Sequence, residues 1–322
     1  MSRRAFTILE LLVAVAITVV MAGMVLSVTT GTVALWRRTQ SRLEATAQAR
    51  LALDFIERDI QAAILRRDAG AWLASDILGG SPDIVAHGWF TAGTIKPSGT
   101  ESQRLVPADA PARIEQARFG MSGCWLRLFT TKIDDNSTDR TLSAPSVVSY
   151  QIERKRVGTD NTEARYRLYR SEVRQEATSG GRPGSFQSGI DLTAGNYATA
   201  SGTPGDTGTV ITPASGDVLA DNVVDFGVWF YVRNSGGTLQ RVYPANATDF
   251  TYRSPNAGVI PEAADVVLRI LSREGVTELN ALEMGRLTRP ASYANDAEWW
   301  WGVVEAHSSV FVRRIEVKGA AQ

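Results

Sequence analysis

Side chains able to do chemistry are few in this sequence of 322 residues. It has two histidines, His87 and His307, and one cysteine, Cys124. A Ser–His–Asp site needs one of those imidazoles beside a serine, and no G-x-S-x-G elbow occurs. A conventional zinc site needs more nitrogen and sulfur ligands than the chain has. The glycine-rich "GGRPGS" lacks the lysine of a phosphate-binding loop. "DDNSTD", Asp134 to Asp139, offers oxygen ligands of the kind calcium takes, but its spacing lacks the glycine and terminal glutamate of an EF-hand, so it reads as a turn. These observations predict no catalytic residue, no metal and no cofactor. Cys124, in the alternating "GCWLRLF", reads as a core residue. Trp299, Trp300 and Trp301 form three adjacent indoles. On a strand they cannot share a face, so at least one is expected to be exposed or to pack on a partner, which leaves two readings: an interface, or a core tryptophan flanked by two that cover a loop.

One carboxylate stands out by its surroundings. Glu10 is the only ionisable residue between Ala5 and Leu35, in a run that opens "RRAFTILELLVAVAITVV". Leu11 to Val28 contains no charge, proline, asparagine or glutamine, and about 20 such residues span a bilayer. A cleaved secretory signal would have an apolar region of about 7 to 15 residues and a terminal A-x-A box; this run is longer and lacks the box. A carboxylate inside such a helix costs on the order of 3 kcal/mol at mid-membrane, so it usually has a partner or a task. A cut between Ala5 and Phe6 would place a new α-amino group four residues from Glu10, in the same chain or in a neighbouring copy. Arg3 and Arg4 precede the span, but Arg37 and Arg38 follow it, so charge alone does not orient it.

The elements that would carry these groups follow from periodicity. Beyond Trp36, Ala49, Leu53, Ile56, Ile60 and Ile64 recur at spacings of three and four, with Arg50, Asp54, Glu57 and Arg58 elsewhere on the surface, and no proline occurs before Pro82. A single helix is predicted from Phe6 to about Arg66, apolar first and amphipathic afterwards. Beyond Gly70 alternating runs predict strands: "CWLRLFTT", "SVVSYQIERKRV" and "ARYRLYRSEV" as a hairpin pair, then "NVVDFGVWFYV", "RVYPA", "ADVVLRILS" and "SSVFVRRIEV". Residues 175–217, rich in Gly, Ser, Thr and Ala, read as a long loop, either an interaction loop or a flexible insertion. Lys plus Arg and Asp plus Glu balance at 34 each, which gives no basic field for nucleic acid.

The segment "RRAFTILELLVAVAI" resembles the N-terminus of type IV prepilins and type II secretion pseudopilins: a short basic leader, a small residue, phenylalanine, and glutamate at the fifth mature position. Ala5 stands where the family usually has glycine. The order of "LALDFIERDIQAAI", "VVSYQIERKRV…RYRLYRSEV", "LADNVVDFGVWFYV" and "IPEAADVVLRILS" is similar to the large minor pseudopilins conventionally called J, from Arg3 to about Ser272. The last fifty residues lie outside that likeness.

The resemblance implies an α+β, pilin-like fold: a long N-terminal helix, transmembrane and then amphipathic, packed on a mainly antiparallel β-sheet domain. It implies a leader at 1–5, a membrane half at 6–35, an amphipathic half at 36–67 and a β-rich periplasmic domain at 68–322. A prepilin peptidase would cut between Ala5 and Phe6 and methylate Phe6, and Glu10 would guide assembly. The implied role is that of a non-enzymatic minor pseudopilin or pilin, single-pass in a bacterial inner membrane, whose partners are other pseudopilins in a secretion or pilus-like filament. From another class, a membrane-anchored binding protein or adhesin would use the 175–217 loop. An anchored hydrolase is opposed by the histidine count.

Overall fold

The computed structural model describes residues 8–64, 70–77, 96–97, 113–121, 123–131, 145–157, 163–173, 191–192, 213, 215–245, 250–254 and 260–317. Its contacts divide the chain into two compact units, Met1–Glu44 and Ala45–Gln322. One helix, α1 (Ile8–Gln61), runs for 54 residues. No proline interrupts it, and its end is visible in the hydrogen bonds. The Ala62 amide still reaches the Arg58 carbonyl at 3.0 Å, the Ala63 amide tightens onto Ile60, and the Ile64 amide leaves the helix for the Phe129 carbonyl at 2.9 Å. The chain is thus drawn off α1 onto a strand, five residues before the predicted end at Arg66.

In the first unit every described residue from Ile8 to Gln40 is exposed. In the second unit the same helix buries Ala45, Ala49, Ala52, Leu53, Ile56, Asp59 and Ile60. Spacings of three and four keep these on one face, and alanine at three of the positions lets the backbone come close to what it covers.

Among the described residues ten strands form two antiparallel sheets. They are β1 (Leu73–Ile77), β2 (Cys124–Thr131), β3 (Pro145–Arg156), β4 (Ala164–Val173), β5 (Val218–Asp221), β6 (Val223–Arg233), β7 (Leu239–Tyr243), β8 (Thr251–Ser254), β9 (Ala263–Leu271) and β10 (Ser308–Glu316). The first sheet has the order β5-β4-β3-β2-β1-β8 and the second β10-β9-β6-β7. Two helices, α2 (Arg273–Glu283) and α3 (Asp296–His307), sit between β9 and β10 in sequence. The fold is α+β, with a long apolar N-terminal helix and antiparallel sheets, as the sequence predicts.

One hydrophobic core joins the stripe of α1 to both sheets: Leu126, Leu128, Tyr150, Ile152 and Leu168 from the first, Phe226, Val228, Val266, Leu268 and Ile270 from the second. Polar contacts grip the helix from both sides. From the first sheet, Arg170 on β4 donates to Asp59 at 2.7 and 3.1 Å, and the Asp221 amide on β5 donates to Gln48 Oε1 at 3.1 Å. From the second, Arg313 on β10 pairs with Asp54 and, at 2.9 Å, with Glu57.

Each sheet is also covered on its other face. On β6 and β9, Asp225 and Gly227 stand opposite Arg269 and Val267, and residues 113–121 cross this face. The Phe119 amide donates to Asp225 at 3.1 Å, Arg269 donates to the Glu115 carbonyl at 2.9 Å, and the Phe119 ring lies so close to Gly227 that a Cβ there would meet it at 1.8 Å. Gly227 is therefore a residue of close approach. On the first sheet Trp125, Arg127 and Phe129 point away from the core yet are at most 1% exposed.

Seven strands fall where the alternating runs predict them. Three short ones, β1, β5 and β8, have only four or five residues each, too few to show a period. The stripe of α1 supplies part of the core on which the strands beyond residue 70 pack. Loss of a buried leucine or isoleucine costs about 2–5 kcal/mol, and Leu53, Ile56 and Ile60 together approach the whole stability of a domain, about 5–15 kcal/mol. A chain starting at Arg37 should unfold in one sigmoidal transition by near-ultraviolet circular dichroism. One starting at Gly70 should show none; equal melting of the two would contradict the structural role of the stripe.

Candidate functional site

The first unit is a helix with almost nothing to do chemistry. Glu10 lies close to the first described residue of this helix, Ile8. Ala5 and Phe6 lie outside the described residues. Among the other side chains, the threonines turn their hydroxyls back onto the helix: Thr18 donates to the Ala14 carbonyl at 2.8 Å, Thr29 to Val25 at 2.8 Å, Thr30 to Leu26 at 3.0 Å and Thr32 to Val28 at 2.8 Å. A segment with this pattern satisfies its own polar groups and presents apolar surface outward, which is what hydrocarbon demands.

The second unit concentrates its charge inside. Glu283, at the end of α2, accepts from Tyr166 Oη at 2.5 Å, Trp300 Nε1 at 2.9 Å and Arg154 Nε at 2.9 Å. Burial pushes its carboxyl above the usual range, while Arg154 and the two neutral donors pull the other way. Asp225 takes Lys96 at 2.8 Å, and Lys96 also donates to the Val224 carbonyl at 2.8 Å; burial lowers the amine and raises the acid. Asp76 holds Arg127 and Arg253. Each of these acids is held by a basic side chain from another part of the chain, so the arrangement pins elements together. None opens onto a nucleophile.

The sequence-derived residues fall as follows. Cys124 is buried and its thiol is pushed up to about 12 by loss of solvent. His307 pairs with Glu278 at 2.9 Å on the surface. His87 and the acidic run 134–139 lie outside the described residues, as does most of 175–217. The parts of that last segment which are described are tied down: Asp191 accepts from the Ala71 amide at 3.0 Å, the Leu192 amide donates to Ala71 at 2.8 Å, and the Pro213 carbonyl accepts from Lys155 at 2.8 Å. Among the described residues no group of three or more His, Cys, Asp or Glu could hold a metal ion.

The tryptophans require a correction. Trp299, Trp300 and Trp301 lie on a helix, α3, and are 8%, 0% and 1% exposed, so the expectation that one of them faces solvent or a partner does not hold. Residues on a helix step round by about 100°, and α3 is covered over most of its circumference. Trp300 bonds Glu283 and meets Tyr166 edge-on at 6.0 Å; Trp301 is faced by Lys96 at 5.5 Å, Arg118 at 5.0 Å and Arg269 at 6.0 Å. Both helices carry caps that sequence can show. Ser272 accepts from the Gly275 amide at 3.1 Å, and Asn295 from the Glu298 amide at 2.8 Å, each a polar residue three positions ahead of its donor.

A solved structure of a type IV-like pilin from Thermus thermophilus matches at 11% identity, over 86% of this chain and 97% of that one, with a TM-score of 0.30. No protein-family model matches the chain, and no curated protein does.

The buried carboxylates give a pH dependence whose sign is fixed. Glu153 on β3 is fully buried, and burial pushes its carboxyl up to about 8 against the opposing pull of Lys155, which lies 2.5 Å away. Between the ordinary glutamate value and about 8 the folded state binds more protons than the unfolded state, so stability falls as pH rises through that interval. One such group contributes at most about 1.4 kcal/mol per pH unit. Glu153→Gln should accordingly gain on the native chain as pH rises from 5 to 8 in urea unfolding, and the difference should then hold constant above 9. A constant difference from pH 5 to 8 would refute the assignment.

Proposed function

We propose that this chain is a minor pseudopilin or minor pilin, a non-enzymatic subunit held in a bacterial inner membrane by α1 with its second unit in the periplasm. The observation that carries this reading is Glu10, the one ionisable residue in an exposed, self-satisfied apolar helix that continues without a break into the core stripe of a β-rich unit. Residues 1–5 are then a leader. A prepilin peptidase cuts between Ala5 and Phe6 and methylates the Phe6 amine, and residues 6–35 lie in the membrane before assembly. Other pseudopilins or pilins are the partners, in a type II secretion or type IV pilus-like filament.

The role of Glu10 follows from elementary electrostatics. A charge-assisted hydrogen bond to an ammonium is worth more where water is scarce, and the Phe6 amine of an adjoining subunit supplies that ammonium. Assembly then brings the ammonium of a second subunit to the carboxylate.

Two measurements test this. Mass spectrometry of the N-terminal peptide from membranes should find a chain that begins at methylated Phe6; one that begins at Met1, or beyond residue 20, removes the pilin reading. Glu10→Leu should leave insertion and cleavage intact and reduce co-purification with neighbouring pseudopilins about tenfold at equal membrane levels. Undiminished association would mean that Glu10 is not the assembly charge.

A further inference from the structure

The apolar part of α1 is longer than the hydrocarbon core of a bilayer is thick, and the surplus has to go somewhere. Trp36 lies 26 positions beyond Glu10, about 39 Å along a helix that rises 1.5 Å per residue. The hydrocarbon core is about 30 Å thick, and about 40–45 Å with both headgroup layers. Two registers are open to such a helix. In one, the most apolar stretch, from Leu9 to Val28, fills the hydrocarbon; Glu10 is then immersed near one edge, while Thr29, Thr30, Thr32 and Trp36 stand in water. In the other, the hydrocarbon begins at Leu35 and ends about 20 residues back, near Ala16.

The threonines decide between them. Thr29, Thr30 and Thr32 are the polar residues that would favour the first register, but each hydroxyl already donates to a carbonyl of the preceding turn. They need no water, and in hydrocarbon they leave no unpaired donor. Immediately beyond them the character of the surface changes. Trp36 is 70% exposed and Arg37, Arg38 and Arg42 are exposed beside it, within about 9 Å of helix axis. Glu44, the next acid along the helix, accepts from Gln40 at 3.3 Å. An indole next to three guanidiniums matches a headgroup layer, apolar below and phosphate-rich above.

We propose that Trp36, Arg37, Arg38 and Arg42 bind the phosphates of the bilayer leaflet next to them and thereby fix the register of α1, placing Glu10 in the opposite headgroup layer instead of in hydrocarbon. This rests on the membrane-anchor part of the function proposed above. It gives Glu10 a hydrated position during storage, at a depth where the leader's arginines are at hand before the cut and the Phe6 amine after it.

The test uses the full chain in vesicles of phosphatidylethanolamine and phosphatidylglycerol at three to one. Cysteines introduced singly at Leu9, Val19, Val28, Val33 and Thr39 are treated with a membrane-impermeant maleimide added inside or outside; buried Cys124 supplies the blank. Leu9→Cys and Thr39→Cys should label from opposite sides, at least tenfold above Val19→Cys, Val28→Cys and Val33→Cys. Labelling at Val33 with protection at Leu9 would overturn the register while keeping the anchor. Labelling at all five positions would remove the anchor and this proposal together. In the Arg37→Leu/Arg38→Leu background Thr39→Cys should lose labelling several-fold, because the arginines no longer hold that turn among the phosphates. Unchanged labelling there would show that they do not set the register.

Discussion

The stripe of α1 from Ala45 to Ile60 is the constraint on which the second unit depends. Two antiparallel sheets each have one face in the common core, and the helix supplies apolar cover that neither sheet provides for itself. Non-directional burial alone would let such a helix slide or rotate along its own axis. The flanking pairs remove that freedom: Asp59 with Arg170 on one side, Asp54 and Glu57 with Arg313 on the other. The acids lie three and two positions apart around the helix, so they point to different sheets while the stripe between them points to the core.

The buried pairs elsewhere follow the same logic at higher cost. Taking an ion out of water is expensive, and a buried pair is weak evidence of net stabilisation. Arg154 and Glu283 nevertheless join β3 to α2 with geometry that an apolar substitute could not define, and Tyr166 and Trp300 spend both of their polar hydrogens on the same carboxylate. Lys96 with Asp225 and Arg127 with Asp76 act likewise at the covered outer faces of the sheets. Each pair fixes which element lies on which, and hydrophobic area supplies the free energy.

Much of this was legible in the sequence, and the exceptions have physical causes. β3, β4, β6, β9 and β10 are long enough for period-two alternation to show, and the stripe of α1 shows as period 3.6. β1, β5 and β8 are too short for any period, and they exist because longer strands offer them an edge. The tryptophans misled because three adjacent indoles next to a strand suggest another strand, although the capping pair Asn295 and Glu298 stood just ahead of them. Arg154, Lys96 and Glu153 were invisible as core residues, since their burial depends on partners more than 50 residues away or on what covers the sheet. Of the proposed site, Glu10 was legible at once. It is conspicuous because its surroundings are uniform.

Both halves of α1 handle polar groups, by opposite means. Between Ile8 and Leu35 the hydroxyls fold back on carbonyls of their own helix, and the outward surface is Leu, Val, Ile and Met. That is wasteful in water, where an exposed hydroxyl is already satisfied and exposed leucine is a liability. Between Ala45 and Ile60 the polar side chains reach outward to arginines and the apolar ones turn in, which is the arrangement water requires. Arg37 and Arg38 lie between the two regimes. On the membrane-anchor reading proposed above, this change of rule within a few turns is the boundary between two media, with the guanidiniums on the side where charge is solvated.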